Sequence, residues 1–168
     1  LTDDSIFVQD RDPDDDRAYP LRRFSRADFS PQPLNLSLRR QPDDLTIDPT
    51  TGHLYAAYAY PDSFLLDIDP ATNQITPLYT ARTIVDALLH AEANRLYLLT
   101  NDGVLRVLNA RTYAELDRAD TGFNTTDRHY DYEGELSLDA GRNRLYLSGF
   151  PLRAVNTETM QTVPYPGS

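Results

Sequence analysis

Carboxylates at alternate positions are the first residues here whose types and spacing suggest chemistry. Asp10, Asp12, Asp14 and Asp16 stand in one short run, broken by Arg11, Pro13 and Asp15. Alternating aspartates are the spacing of a calcium loop, because a hard cation needs several oxygens converging at roughly 2.3–2.6 Å. An EF-hand register wants glycine where Asp15 stands and glutamate where Leu21 stands, so the run reads first as a solvated acidic loop and second as a Ca2+ site. A longer-range set follows: Asp44, Asp86 and Glu135 each lie eleven residues before a tyrosine, at Tyr55, Tyr97 and Tyr146. Gathered at one mouth, such groups would hold a cation or raise one another's pKa. As repeated structural residues they would instead cap backbone amides near a turn.

Aromatic and polar residues form the third candidate, a binding rim. Phe123, Arg128, His129, Tyr130 and Tyr132 crowd a stretch between Asp120 and Gly134, and Tyr58 and Tyr60 sit just before Pro61. Mixed aromatic and arginine clusters of this kind favour recognition, and a long connection on a rigid scaffold is where binding residues concentrate. Catalytic constellations are not evident. His53 and His90 form no metal spacing with a second histidine, and no Gly-x-Ser-x-Gly elbow, phosphate loop or Gly-x-Gly-x-x-Gly turn occurs.

The elements that must carry these residues repeat. Leu54-Tyr55, Leu96-Tyr97 and Leu145-Tyr146 close the same pattern, with 42 and then 49 residues between tyrosines, inside or near the period of roughly 40–50 residues expected of propeller blades. Each copy continues into an apolar strand ending in Asp or Asn with Thr three residues on: Asp69-x-x-Thr72, Asn109-x-x-Thr112 and Asn156-x-x-Thr159. A short Asp or Asn side chain bonds the backbone two residues ahead, which suits a tight bend between antiparallel strands. Four strands per unit, a to d, follow. In the second full copy they are expected near residues 86–90, 94–99, 103–108 and 113–118, and the last strands of the other two near 74–79 and 160–164. Strands b and c are apolar on successive residues, as in Leu96-Tyr97-Leu98-Leu99, the pattern of sheets packed on both faces. The repeat tyrosines are expected between blades, with their hydroxyls at an edge.

These units resemble the YVTN-type family of β-propeller repeats, whose units run from a strand through Gly-x-Leu-Tyr-Val to a second strand ending in Asp-x-x-Thr. The resemblance covers about residues 43–163 and extends more weakly over 5–37, where Ile6-Phe7 stands for Leu-Tyr. It implies an all-β chain, a β-propeller of four-stranded antiparallel blades. In a propeller the b-to-c and d-to-a connections share one face, so the resemblance puts the acidic run, the carboxylates and the aromatic cluster together. On activity the family is nearly silent, since it includes scaffolds, ligand binders and a minority of metal-dependent lactonases.

Residues 5–37 fit only in part, with strand b at 5–10, strand c at 19–25, strand d at 31–37 and no strand a. One partial-propeller domain over 1–168 is therefore expected, with an incomplete blade at 5–37 and full blades at 43–79, 86–118 and 135–164. About three and three-quarter blades leave the ring incomplete, with apolar faces and strand edges that something must cover. The remaining blades come from another segment or chain, or from self-association, and the Leu1 start favours removal of something upstream.

Composition limits the partners. Sixteen basic residues, all arginine, against 26 acidic ones give a net charge of −10, which excludes nucleic acid as the expected partner. No apolar run approaches the ~18 residues of a transmembrane segment. Cysteine is absent, which rules out disulfides without choosing a compartment. The family resemblance implies a secreted, periplasmic or cell-surface setting. The leading expectation is a non-catalytic binding or assembly module that takes a protein or glycan ligand, with no cofactor beyond the candidate Ca2+. The alternative is a fragment of a calcium-dependent lactonase-like hydrolase using Asp44, Asp86 and Glu135 as ligands.

Overall fold

Asn or Gly three residues before each repeat tyrosine is the pivot on which the sheets turn. Gly52, Asn94 and Asn143 all take positive φ, at 81°, 52° and 53°, a left-handed conformation that these two residue types adopt at least cost. Each ends the bend between the first and second strands of its sheet. The computed structural model describes residues 5–9, 19–58, 64–79, 84–122, 134–148 and 152–163. Within them lie fifteen strands. The first sheet holds β1 (Ser5–Gln9), β2 (Tyr19–Ser25) and β3 (Pro31–Leu38), and the second β4 (Asp44–Ile47), β5 (Leu54–Tyr58), β6 (Phe64–Asp69) and β7 (Gln74–Tyr79). The third holds β8 (Ile84–His90), β9 (Arg95–Thr100), β10 (Val104–Asn109) and β11 (Glu115–Asp120). β12 (Leu136–Asp139), β13 (Arg144–Leu147), β14 (Arg153–Asn156) and β15 (Thr162–Val163) make the fourth. In every sheet the spatial order is the sequence order, an up-and-down meander that tight turns alone can build.

The Asp-x-x-Thr signal works as its chemistry predicts. Asn109 Oδ1 accepts from the amides of Arg111 and Thr112, both at 2.9 Å, and Asn156 Oδ1 accepts from those of Glu158 and Thr159 at the same distance. Asp69 takes the Ala71 amide at 2.8 Å and the Thr72 hydroxyl at 2.6 Å, and the latter bond, first among several, holds its carboxyl below the usual aspartate range. The residue after the threonine then turns left-handed: Asn73, Tyr113 and Met160 have φ of 59°, 59° and 53°. The first sheet makes the same bend with Ser25 in the Asp position and Phe29, at φ 57°, as the left-handed residue. Because the turn consumes Tyr113 and Ala114, β11 begins at Glu115 rather than at 113 and runs on to Asp120. The strand expected over 160–164 likewise starts later, with β15 beginning at Thr162, Met160 held in its turn and Pro164 outside the described residues. The three strands expected over residues 5–37 are present as β1, β2 and β3, with Asp10 outside the described residues.

Two compact units divide the chain: Leu1–Tyr58 with Leu65–Leu78, and Ala59–Phe64 with Tyr79–Ser168. The core of the second unit lies between its two sheets, where Tyr97, Leu99, Leu105 and Val107 meet Leu136, Leu145, Leu147 and Val155. Each such side chain contributes roughly 1.5–3 kcal/mol by leaving water. The hydroxyl of Tyr97 is not at an edge: the residue is fully buried and its oxygen has no hydrogen-bond partner among the described residues. Outward from β9 the sequence turns polar, so that β11 exposes Glu115, Asp117 and Arg118, charges that blunt an outer strand against further pairing. Among the described residues no helix is long and apolar enough to cross a membrane.

Candidate functional site

Asp44 opens β4, Asp86 is the third residue of β8 and Glu135 immediately precedes β12, so each lies in or beside the first strand of its sheet. Their oxygens are spent on structure to different degrees. Asp44 accepts from its neighbour's amide, Leu45 N at 2.8 Å, and from the Thr46 hydroxyl at 3.2 Å. Asp86 sits where β8 slips register against β9 between Ile84 and Asp86, an irregularity that re-aims a side chain. One of its oxygens takes the Ala87 amide at 2.7 Å and the other reaches the next sheet, taking the Leu136 amide at 2.6 Å. Charge-assisted bonds to backbone N–H groups are among the stronger hydrogen bonds, so Asp86 ties two sheets together. Glu135 is exposed, and its backbone exchanges hydrogen bonds with Ser148 at 2.8 Å each way. Among the described residues no three His, Asp or Glu side chains gather to hold a metal.

Tyr58, grouped by sequence with an aromatic rim, is 1% exposed. Its hydroxyl donates to the Arg40 carbonyl at 3.1 Å, and the Arg40 guanidinium lies 5.3 Å from its ring centre. Burial is the first cause that pushes its pKa up to about 12, with Arg40 opposing and Asp43 adding to the rise. Tyr58 therefore anchors the connection between β3 and β4 instead of facing a ligand. The other rim and loop candidates, Tyr60, Phe123, Arg128, His129, Tyr130, Tyr132, Asp10, Asp12, Asp14 and Asp16, lie outside the described residues. At the near end of the aromatic connection, Gly122 has φ +61°, and a Cβ there would stand 3.0 Å from an Arg153 guanidinium nitrogen. Only glycine suits that combination of backbone and close approach. His53 is engaged by Asp67, Nδ1 to Oδ1 at 2.8 Å, across β5 and β6.

Sequence reasoning missed a cleft of about 400 Å³ in the first unit, between the first sheet and the turns of the second, lined by Ser5, Phe7, Arg23, Ile47, Asp69 and Pro70 among others. Arg23 donates Nε–H to Ser5 Oγ at 2.9 Å and lies 5.9 Å from the centre of the Phe7 ring. A signal was present: aligning strand c across the sheets puts Arg23 where the third sheet has the core residue Val107.

Repeated four-stranded antiparallel meanders with their cores between adjacent sheets define a β-propeller, and comparison with solved structures supports that class. The chain is similar to AztD from Citrobacter koseri, with a TM-score of 0.70 and 13% identity over 98% of this chain and 44% of that one. The apo form of AztD from Citrobacter koseri superposes at 0.65 with 12% identity over the same shares. A third similar structure is the Cps50 (Swd1) β-propeller domain of Myceliophteria thermophila, at 0.61 and 14% identity over 88% of this chain and 53% of that one. The chain thus spans about half or less of the length of these structures. No protein-family model matches it, and no curated protein sequence does.

Proposed function

We propose that this chain is a non-catalytic propeller module that works by assembly, its first sheet taking an inner strand and adjoining blades from polypeptide beyond the strands described. One observation carries the reading. Val8 of β1 is 44% exposed, whereas Ala56, Leu98 and Leu147, which hold the same place in β5, β9 and β13, are each 0% exposed. Those three strands each pair with an inner strand, and among the described residues β1 pairs with β2 alone. An apolar strand with an open backbone edge invites one more strand.

The sibling sheets define what fits. Leu45 and Ile47 face Ala56 and Leu54, and Leu136 and Leu138 face Leu147 and Leu145. The incoming strand would run antiparallel to β1 with apolar residues opposite Ile6 and Val8. The YVTN-type resemblance supports a setting outside the cytoplasm, with the loop-bearing face presented to a protein or glycan.

Solution mass tests the proposal. The full chain is expected to form a multimer or to co-purify with a partner, and Val8→Asp, which puts a charge on the pairing face, is expected to dissociate it. A wild-type chain that stays monomeric at high concentration, or a Val8→Asp assembly as stable as wild type, overturns the reading.

A further inference from the structure

The seam between the first two sheets differs from the seam between the last two by the loss of one filler. In the second unit Arg95, at the start of β9, fills the space beside the following sheet and donates Nη1–H to the carbonyl of Thr157 at 2.6 Å. Ser5 holds the Arg95 position in β1: Ser5 pairs with Ser25 as Arg95 pairs with Asn109, each at the end of strand c. Pro70 holds the place of Thr157, because each directly follows the turn residue, Asp69 or Asn156. A side chain of two heavy atoms cannot fill the volume of an arginine, and the cleft of about 400 Å³ lies there, lined by both Ser5 and Pro70. That figure includes space open to solvent.

The lining is bipolar. Arg23 occupies a position that is apolar in the core of the second unit, and its Nε and ring face are already engaged by Ser5 and Phe7. The Nη atoms make no hydrogen bond to a described residue, which leaves a pre-oriented fork for a carboxylate. Opposite charge comes from Asp69, which also lines the cleft while its carboxylate holds the Ala71 amide and the Thr72 hydroxyl. Phe7, Ile47 and Pro70 supply apolar wall between them. An anion alone would meet Asp69 and a chain of net charge −10, while a cation alone would meet Arg23. A molecule carrying both charges meets neither repulsion.

We propose that this cleft binds a small zwitterion of the α-amino-acid class, its carboxylate on Arg23 and its ammonium toward Asp69 and the Pro70 turn. The apolar wall selects an aliphatic side chain. Binding here is independent of the assembly at β1, since it needs only the first two sheets.

The test is an amide NMR titration of the full chain with L-leucine, leucinamide, isocaproate and inorganic phosphate. L-leucine is expected to give saturable shifts around Ser5, Phe7 and Ala71, and the two single-charge analogues to bind at least about tenfold more weakly. Ser5→Arg, which copies the filler of the other seam, and Arg23→Gln are expected to abolish the shifts. Asp69→Asn is the decisive variant. Asparagine is native at the same turn position in the third and fourth sheets, so the turn is kept while the charge is lost, and the preference for L-leucine over isocaproate should disappear. No saturable shift with L-leucine, phosphate binding tighter than L-leucine, or a leucine preference unchanged in both Ser5→Arg and Asp69→Asn overturns the proposal.

Discussion

Ile6-Phe7-Val8 in β1 and Leu96-Tyr97-Leu98 in β9 are the same three positions of a sheet, and both were recognisable as a second strand from their apolar run. In β9 all three are at most 1% exposed, whereas Val8 is 44% exposed and Ile6 and Phe7 are only partly buried. Strand identity is thus local, set by residue type and turn chemistry, while burial is set by what packs on either side. The same contrast runs through the seams. Arg95 closes one by bonding Thr157, and Ser5 leaves the other open with Arg23 standing in it.

The largest expected effect separates the two strands. Leu99→Ala, in the core between the third and fourth sheets, should cost about 2–5 kcal/mol in urea unfolding, because the surrounding side chains collapse only partly into the gap. Val8→Ala, measured at a concentration low enough to keep the chain monomeric, should cost less than about 1 kcal/mol, since much of its side chain is then in water. Comparable losses at both positions in the monomer would mean that β1 is covered within the single chain and would break the comparison.

Two of the buried tyrosines sharpen it next. Tyr58 is held with a pKa near 12 in the folded chain against an ordinary value of 10, so the folded state keeps the proton more tightly than the unfolded one. Its contribution is complete below about pH 10 and is lost as pH rises toward 12. Two pH units correspond to roughly 2–3 kcal/mol. Alkaline unfolding followed by circular dichroism should therefore steepen over that window in wild type and flatten in Tyr58→Phe. An identical alkaline limb in the two proteins would remove Tyr58 from its buried, bonded place.

The smallest effect belongs to Tyr97, whose buried hydroxyl has no partner among the described residues. Removing a polar atom that makes no bond relieves a desolvation cost, so Tyr97→Phe should be neutral or stabilising by up to about 1 kcal/mol by thermal or urea melts. A loss of more than about 1 kcal/mol would show that the oxygen is bonded in solution and that the second unit's core is wetter than its packing indicates.

Much of this was legible in the residues, and the reason is the range over which each signal acts. Asp69, Asn109 and Asn156 announced their bends because a carboxylate or amide oxygen reaches backbone amides two and three residues on, wherever the chain is placed. The fourth strands were less well bounded, because the left-handed Tyr113 and Met160 are residue types that carry no turn signal. Tyr58 looked like a rim residue because its neighbours Tyr60 and Pro61 suggest a loop, and nothing local reveals that Arg40, eighteen positions back, accepts its hydroxyl.

The amino-acid sequence by itself determined the repeat, the strand order within each sheet and the chemistry of the turns, all of which rest on contacts between near neighbours in the chain. Only the tertiary structure decided which carboxylate bridges two sheets, which tyrosines are enclosed, and that Ser5 and Arg23 open a cleft. Those outcomes depend on side chains brought together from distant positions, as Asp86 meets Leu136 and Ser5 meets Arg23. Periodicity registers that such positions are equivalent, but the space between two sheets exists only once both have folded and packed.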